Sequence, residues 1–337
     1  MKTQIPSLRP SPTALLNPCA DPIFKILFTD SSKEANGALT AFLSDILGKT
    51  VTDVTLQPNE LSGESSTDRQ SEFDINCKID GKYVNIEMQG QSDLRDYGRR
   101  AEYHVAHLLN HYTPKGTDWA EIPQVYQISV LNFIFDKEEE DCISHYLLKN
   151  QHNRPVSQTI NVIFLELPKI AHLNVDVSKL TRAQMWGTFF LYGSSPAKKE
   201  LIHDLCKTNK GIEMAVTVLE NVSQDEINWY HESRYWMHVS DEISAHNAAV
   251  REGRAQGLKE GREKGLKQGR EQGLQQGLQQ GREEGLEEGI KQGIEQGLEQ
   301  ATKATNLENA RKMVSLNIDY DTIFTVTGVT KEMLETQ

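Results

Sequence analysis

The chain has 337 residues, with 36 Lys+Arg against 48 Asp+Glu and a formal net charge of −12. This acidic balance argues against a general nucleic-acid-coating surface, which is normally basic, although it leaves a local site open. Four cysteines (Cys19, Cys77, Cys142, Cys206) lie far apart with no CxxC pair, so neither a disulfide framework nor a zinc knuckle is expected.

The length suits roughly two to three domains. A hydrophobic fraction of 37% is low for a globular chain, so part of it is not packed core. The N-terminus has no apolar run of signal-peptide type. The longest apolar-rich run, Tyr126 to Phe135, is too short to span a bilayer. A soluble, cytoplasmic protein without a membrane partner is the expectation.

Residues 1–18 are rich in Pro and Ser and are expected as a loose N-terminal arm. Asp21 precedes Pro22, which suits a first helical position, so Asp21 stands either as a helix cap or as an extra acid at a site. Leu39, Phe42, Leu43, Ile46 and Leu47 recur at helical spacing, which predicts a helix over Ala35–Leu47 stopped by Gly48. Thr50–Gln57 reads as a strand and Asn59–Gln70 as a polar loop.

Two alternating segments follow. Phe73, Ile75, Cys77 and Ile79 fall on one face of the first, and Val84, Ile86 and Met88 on one face of the second. Asp80-Gly81 between them is a two-residue hairpin signal. A helix is expected over Asp96–His111, and buried strands over Val125–Phe135 and Asn161–Leu167. The order helix, strand, hairpin, helix, strand predicts an α/β domain over residues 19–170. Residues 171–245 read as helical, with Trp186, Phe189, Phe190 and Leu191 as core. Trp229, Tyr230, Tyr235 and Trp236 are read as core or interface aromatics. A glycine repeat occupies 246–300. Residues 301–337 form a small helical cap: two short helices joined by Asn317–Asp321, then a break at Thr327-Gly328 and a turn capped by Thr330.

The hairpin carries the chemistry. With Asp80-Gly81 as the turn, paired positions sum to 161, so Cys77 meets Val84 and Ile75 meets Ile86. The matching apolar faces support that register. On the other face Asp74 meets Glu87, and Glu72 meets Gln89. Two carboxylates directly opposite repel, and a divalent cation between them reverses that. Hard oxygen ligands suit Mg²⁺ or Mn²⁺, with Gln89 placed to orient a water or a phosphate oxygen. Asp74, Glu87 and Gln89 are therefore a candidate site for metal-assisted hydrolysis. The alternative is a solvated hairpin face, since edge hairpins commonly carry charge.

His104, His107 and His111 share a helix face, but no Cys or second ligand group accompanies them, so they are read as ordinary residues rather than a zinc set. The chain contains no GxSxG and no Walker-type loop. No small organic cofactor is expected.

Phe73-Asp74-Ile75, Gly81 and Asn85-Ile86-Glu87-Met88-Gln89 together resemble the PD-(D/E)xK nuclease family transposases, also called recombination-promoting nucleases. Asp21-Pro22-Ile23-Phe24-Lys25-Ile26-Leu27-Phe28 resembles that family's N-terminal box, and Arg99, Arg100 and Tyr103 its post-hairpin helix. The resemblance implies a restriction-endonuclease-like core, a mixed sheet flanked by helices, that cuts DNA with Mg²⁺. It carries the metal-binding acids onto Asp74 and Glu87, with Gln89 where the wider superfamily usually has Lys. Glu-x-Gln looks like the usual form in this family and does not imply lost activity. Gln nonetheless brings no positive charge to the reaction, so Lys25 or Lys78 is a candidate to supply it. Lys25, Arg99 and Arg100 are candidate phosphate contacts. The other reading of the two arginines is a solvated helix face.

Twelve of the 23 glycines fall between Gly253 and Gly297, one every fourth residue. In a helix each four-residue step overshoots one turn by about 40°, so the row spirals. Such a period favours right-handed winding. The glycines cost on the order of 10 kcal/mol relative to Ala in a helix. The tract is then either a helical extension that self-associates into a homo-oligomer or a flexible connector. The leading functional expectation is a metal-dependent DNA endonuclease linked to recombination or transposition. A non-catalytic DNA- or protein-binding module that self-associates through the repeat is the alternative.

Overall fold

The computed structural model describes residues 8–61, 71–90, 96–171, 173 and 176–335. They form two compact units, residues 1–245 and 246–337. In the first unit the chain runs α1 (Asp21–Thr29), α2 (Lys33–Leu47), β1 (Val54–Gln57), β2 (Glu60–Leu61), β3 (Ser71–Glu72), β4 (Ile75–Ile79), β5 (Lys82–Gln89) and α3 (Tyr97–His111). It continues through β6 (Val125–Leu131), β7 (Ile143–Tyr146), β8 (Ile160–Glu166), α4 (Leu167–Ala171), α5 (Arg182–Tyr192), α6 (Lys199–Thr208) and α7 (Lys210–Val222). Helix α8 (Glu226–Ser315) begins in the first unit, and α9 (Tyr320–Thr327) and α10 (Lys331–Glu335) follow in the second.

Six strands make one mixed sheet in the order β1-β4-β5-β6-β8-β7. The pairs β5/β6 and β6/β8 are parallel, and the flanking pairs are antiparallel. This α/β architecture, a mixed sheet with flanking helices, agrees with the expected fold class. Strand β7 is not legible in the sequence: Ile143–Tyr146 has a half-exposed burial pattern and no run of apolar residues. The expected loop over Asn59–Gln70 lies largely outside the described residues. Its first residues form β2, which pairs with β3.

The hairpin turn has the predicted form. Asp80 (φ 44°) and Gly81 (φ 80°) both take positive φ, as a type I′ turn requires. The register over Ile75↔Ile86 to Ile79↔Lys82 is the one with positions summing to 161. Gly48 ends α2 in the left-handed region at φ 63°, where a Cβ would be strained.

One core lies between the sheet and the helical layer of α1, α2 and α5–α7. It gathers Ile75, Cys77, Ile79, Val84, Ile86 and Met88 against Phe24, Phe28, Phe42, Trp186, Phe189 and Phe190. A second, smaller core sits under α3 and contains Phe73, Tyr97, Val105, Leu108 and Phe164. Alternation puts Phe73 on the same face as Ile75, and the structure corrects this by placing it in the core under α3. Alternation breaks at Asp74, which lies outside the β4 ladder.

Residues 8–18 are also not loose. Leu16 is fully buried, its N–H donates to Ser223 Oγ at 3.0 Å, and the Asn17 N–H donates to Glu232 Oε1 at 2.7 Å. Among the described residues no helix is long and apolar enough to cross a membrane.

Helices α2 and α7 approach closely through Gly211. A Cβ there would lie 2.3 Å from the Ala41 Cβ and 3.0 Å from the Trp186 ring. Ala41 has no flexible atom to move aside. Gly211→Ala should therefore cost about 1–3 kcal/mol, read as a lower urea midpoint at unchanged slope. An unchanged midpoint would contradict the packing.

In the second unit, Ala310, Ile323 and Val329 form a small core with Leu307, Met313 and Val314. Asp319 caps α9 by accepting from the Thr322 N–H, and the Thr330 hydroxyl accepts from the Met333 N–H. The tract from Gly253 to Gly297 lies within α8, and its residues are exposed throughout.

Candidate active site

The candidate acids gather where β5 leaves the hairpin. The β4/β5 ladder ends at Ile75↔Ile86, and beyond it Glu87 aligns with Ser129 and Gln89 with Leu131 of β6. Asp74 is therefore not the ladder partner of Glu87, as the simple extension of the register had it. Likewise Glu72 pairs with Glu60 of β2 and not with Gln89. The two acids still approach. Asp74 Oδ2 accepts the Met88 N–H at 2.8 Å, which fixes it beside the strand that carries Glu87. The site thus lies at the C-terminal ends of the parallel strands β5 and β6, where open α/β sheets generally place ligands.

Helix α1 adds two residues. Lys25 Nζ lies 3.2 Å from Asp21 Oδ2 and 3.2 Å from Asp74 Oδ1, spanning the two acids. Asp21 is the first residue of α1, while the N-cap is Ala20 with no side-chain cap bond. Asp21 thus faces Lys25 rather than capping the helix. Burial works against the Lys25 charge, but Asp74 and then Asp21 outweigh it and hold the ammonium above its ordinary pKa.

Helix α3 and strand β5 itself hold Glu87, whose side chain is only 2% exposed. Its Oε1 accepts from Asn85 Nδ2 at 3.0 Å and faces His104 Nδ1 at 2.9 Å. Its Oε2 accepts from Gln89 Nε2 at 3.2 Å and lies 3.8 Å from the Arg100 guanidinium. A carboxylate can only accept, so this contact requires the Nδ1–H form of His104. Burial opposes the Glu87 charge, yet His104, Asn85 and Arg100 hold the carboxyl below its usual range. Asn85 Nδ2 also donates to Gln127 Oε1 at 2.7 Å, so a buried polar chain stands behind Glu87.

Asp74 behaves oppositely. Burial, then the charges of Asp21 and Glu87, push its pKa up to about 8 against the pull of Lys25 and the Met88 N–H. Tyr235 of α8 closes another side: a Cβ on Gly90 would sit 2.7 Å from its hydroxyl. Burial and the charges of Asp21, Cys19 and Asp74 push that phenol up to about 12.

Over residues 18–249, more than half of the chain, the sequence matches the family described as PD-(D/E)XK nuclease family transposase. The chain belongs to that family. Neither a curated protein nor a solved structure matches it. Members of the PD-(D/E)XK group are generally nucleases and typically use divalent metal ions.

The donor set can be tested against such an ion. Among the described residues no group of three or more His, Cys, Asp and Glu side chains is arranged to hold a metal. What converges is a carboxylate pair, Asp74 and Glu87. That suits Mg²⁺, which keeps several waters and is usually bound through one or two carboxylates plus substrate phosphates. The repulsion on Asp74 is what a divalent cation would relieve.

Of the other expected residues, Gln89 joins the site through Glu87 and Arg100 reaches its rim. Arg99 does not converge: its side chain is 86% exposed and pairs with Asp96 at 3.6 Å. Lys78 lies over the Tyr83 ring on β4 and is not brought to the acids. His104, read from sequence as an ordinary residue, is a direct partner of Glu87. Only the contact across two elements reveals that.

A pH dependence follows for the metal-free protein. Because the folded-state pKa of Asp74 is raised above its unfolded value, the folded protein holds that proton more tightly. The stability this contributes is fully present below the unfolded pKa and is lost as pH rises towards about 8. In EDTA, the melting temperature should fall from about pH 4 to about pH 8 and level off above that, and Asp74→Asn should flatten the fall. Parallel curves for wild type and variant would contradict it.

Proposed function

We propose that this protein is a Mg²⁺-dependent DNA endonuclease acting in recombination or transposition, with Asp74 and Glu87 as the metal-binding acids. The observation that carries the reading is the convergence of these two carboxylates on a family-matched hairpin, one of them held in a strongly repulsive field. Mg²⁺, with Mn²⁺ as the alternative, would supply Lewis-acid polarisation of the phosphoryl oxygens and a more acidic water.

The chain's own residues do the rest. His104, Asn85 and Gln89 fix the Glu87 carboxylate in one orientation. Lys25 holds its charge beside Asp74 and supplies the cation that Gln89 lacks, stabilising charge that develops on the phosphate. Arg100, half exposed at the rim, meets a neighbouring phosphate of the DNA. With an acidic chain and few local cations, DNA binding is weak and strongly salt-dependent.

Incubating the full chain with supercoiled plasmid tests this. Nicking or linearisation should require Mg²⁺, stop in EDTA and be lost in Glu87→Gln. Equal cutting by wild type and Glu87→Gln would reject the assignment. The neutral Gln89 favours one other reading, a module that binds DNA or protein without cutting. Binding without cleavage under every divalent ion tried would favour it.

A further inference from the structure

The second unit carries a helix face with no partner among the described residues. Leu258, Leu266, Leu274, Leu278, Leu286, Ile290, Ile294 and Leu298 are 55–68% exposed along α8. Beside each runs a glycine, and all twelve glycines from Gly253 to Gly297 have open space where a Cβ would sit. A long helix interrupted by glycine every fourth residue has little intrinsic stability, and exposed apolar rows of this length mark an interface.

The charges specify what covers it. Residues 251–271 carry seven basic side chains (Arg251, Arg254, Lys259, Arg262, Lys264, Lys267, Arg270) and four acidic ones. Residues 282–299 carry two basic and six acidic ones. The segment 272–281 between them holds only Gln, Gly and Leu. The helix is thus basic in one half, acidic in the other and neutral at the middle.

We infer that two copies of this chain pair antiparallel through this face of α8. Parallel pairing in register sets each half against its like. Antiparallel pairing sets the basic half of each copy against the acidic half of the other, and the opposed helix dipoles agree with it. Aligning Gly277 with itself puts every glycine of the tract except Gly253, which meets Ala301, level with a glycine for close backbone approach. It also brings Lys259 level with Glu295, Glu263 with Lys291, Lys267 with Glu287 and Arg270 with Glu284. Glu271 with Glu283 and Arg251 with Lys303 are the like-charged exceptions. Because the Leu and Ile row advances about 40° per repeat, the partner must wind right-handed to follow it. This association is independent of whether the chain cuts DNA.

Light scattering on the full chain at low salt should give twice the chain mass. High salt should weaken the pair, since exposed charges are screened, and so should Lys259→Glu with Lys267→Glu and Arg270→Glu, by at least about tenfold in dissociation constant for pairs of this kind. Orientation is read by oxidative cross-linking. Gln256→Cys chains mixed with Gln296→Cys chains should cross-link to each other, and neither should cross-link alone beyond the wild-type background from Cys206. A single-chain mass, or cross-linking within either variant alone, overturns the proposal.

Discussion

Asp74→Asn will lower Mg²⁺-dependent plasmid cleavage by about 100-fold or more, while raising the melting temperature of the metal-free protein at pH 8. The two effects come from one cause. Asp74 is held beside Met88 in a buried position facing Asp21 and Glu87, and its pKa is pushed up to about 8. The amide keeps the shape and can still accept the Met88 N–H, but it carries no charge to repel its neighbours or to hold a divalent ion. Active sites often store such strain at the expense of stability. A merely structural Asp74 would move both readouts in the same direction, towards loss. The Lys25 contact tempers the gain, because Asn leaves that ammonium with Asp21 alone.

Trp186→Ala should destabilise the first unit by about 3–5 kcal/mol. The ring is fully buried and packs against Phe42 at 5.3 Å and Phe28, Phe189 and Phe190 at 6.1 Å between centroids. Its Nε1–H donates to Asp45 Oδ2 at 2.9 Å, which also accepts from Asn209 Nδ2 at 2.7 Å. Substitution leaves a large cavity and strips one donor from a half-covered carboxylate. Because α1, α2 and α5–α7 share this core with the sheet, the loss should appear as one shifted cooperative transition. A separate early transition confined to residues 171–245 would contradict a shared core.

Much of the fold is legible in local pattern. The hairpin is written in Asp80-Gly81 and in the alternation on both sides, and α2 in the spacing of Leu39, Phe42, Leu43 and Ile46. The pattern fails first at Asp74. Strict alternation assigns Phe73 to the face of Ile75, but the ladder stops between them and Phe73 packs under α3. β7 is missed because its residues are half exposed and its pairing partner lies downstream in β8.

The site shows the same division. The carboxylate pair is legible from the hairpin register, although the direct opposition it suggests is replaced by a side-chain to backbone contact. Lys25 is legible only as a lysine in an N-terminal box, since nothing local says that α1 delivers it between Asp21 and Asp74. His104 looks like one of three helical histidines in the sequence, and its burial and its 2.9 Å contact with Glu87 appear only in the fold. These are contacts between elements distant in sequence, which periodicity does not encode.

The central claim is that Asp74 and Glu87 form a metal-dependent phosphodiesterase centre. The most direct measurement is the rate of supercoiled plasmid loss in Mg²⁺ for wild type and Asp74→Asn at equal protein concentration. Wild type should convert the plasmid steadily to nicked or linear DNA and the variant almost not at all, with both folded by melting. Equal rates for the two proteins would contradict it.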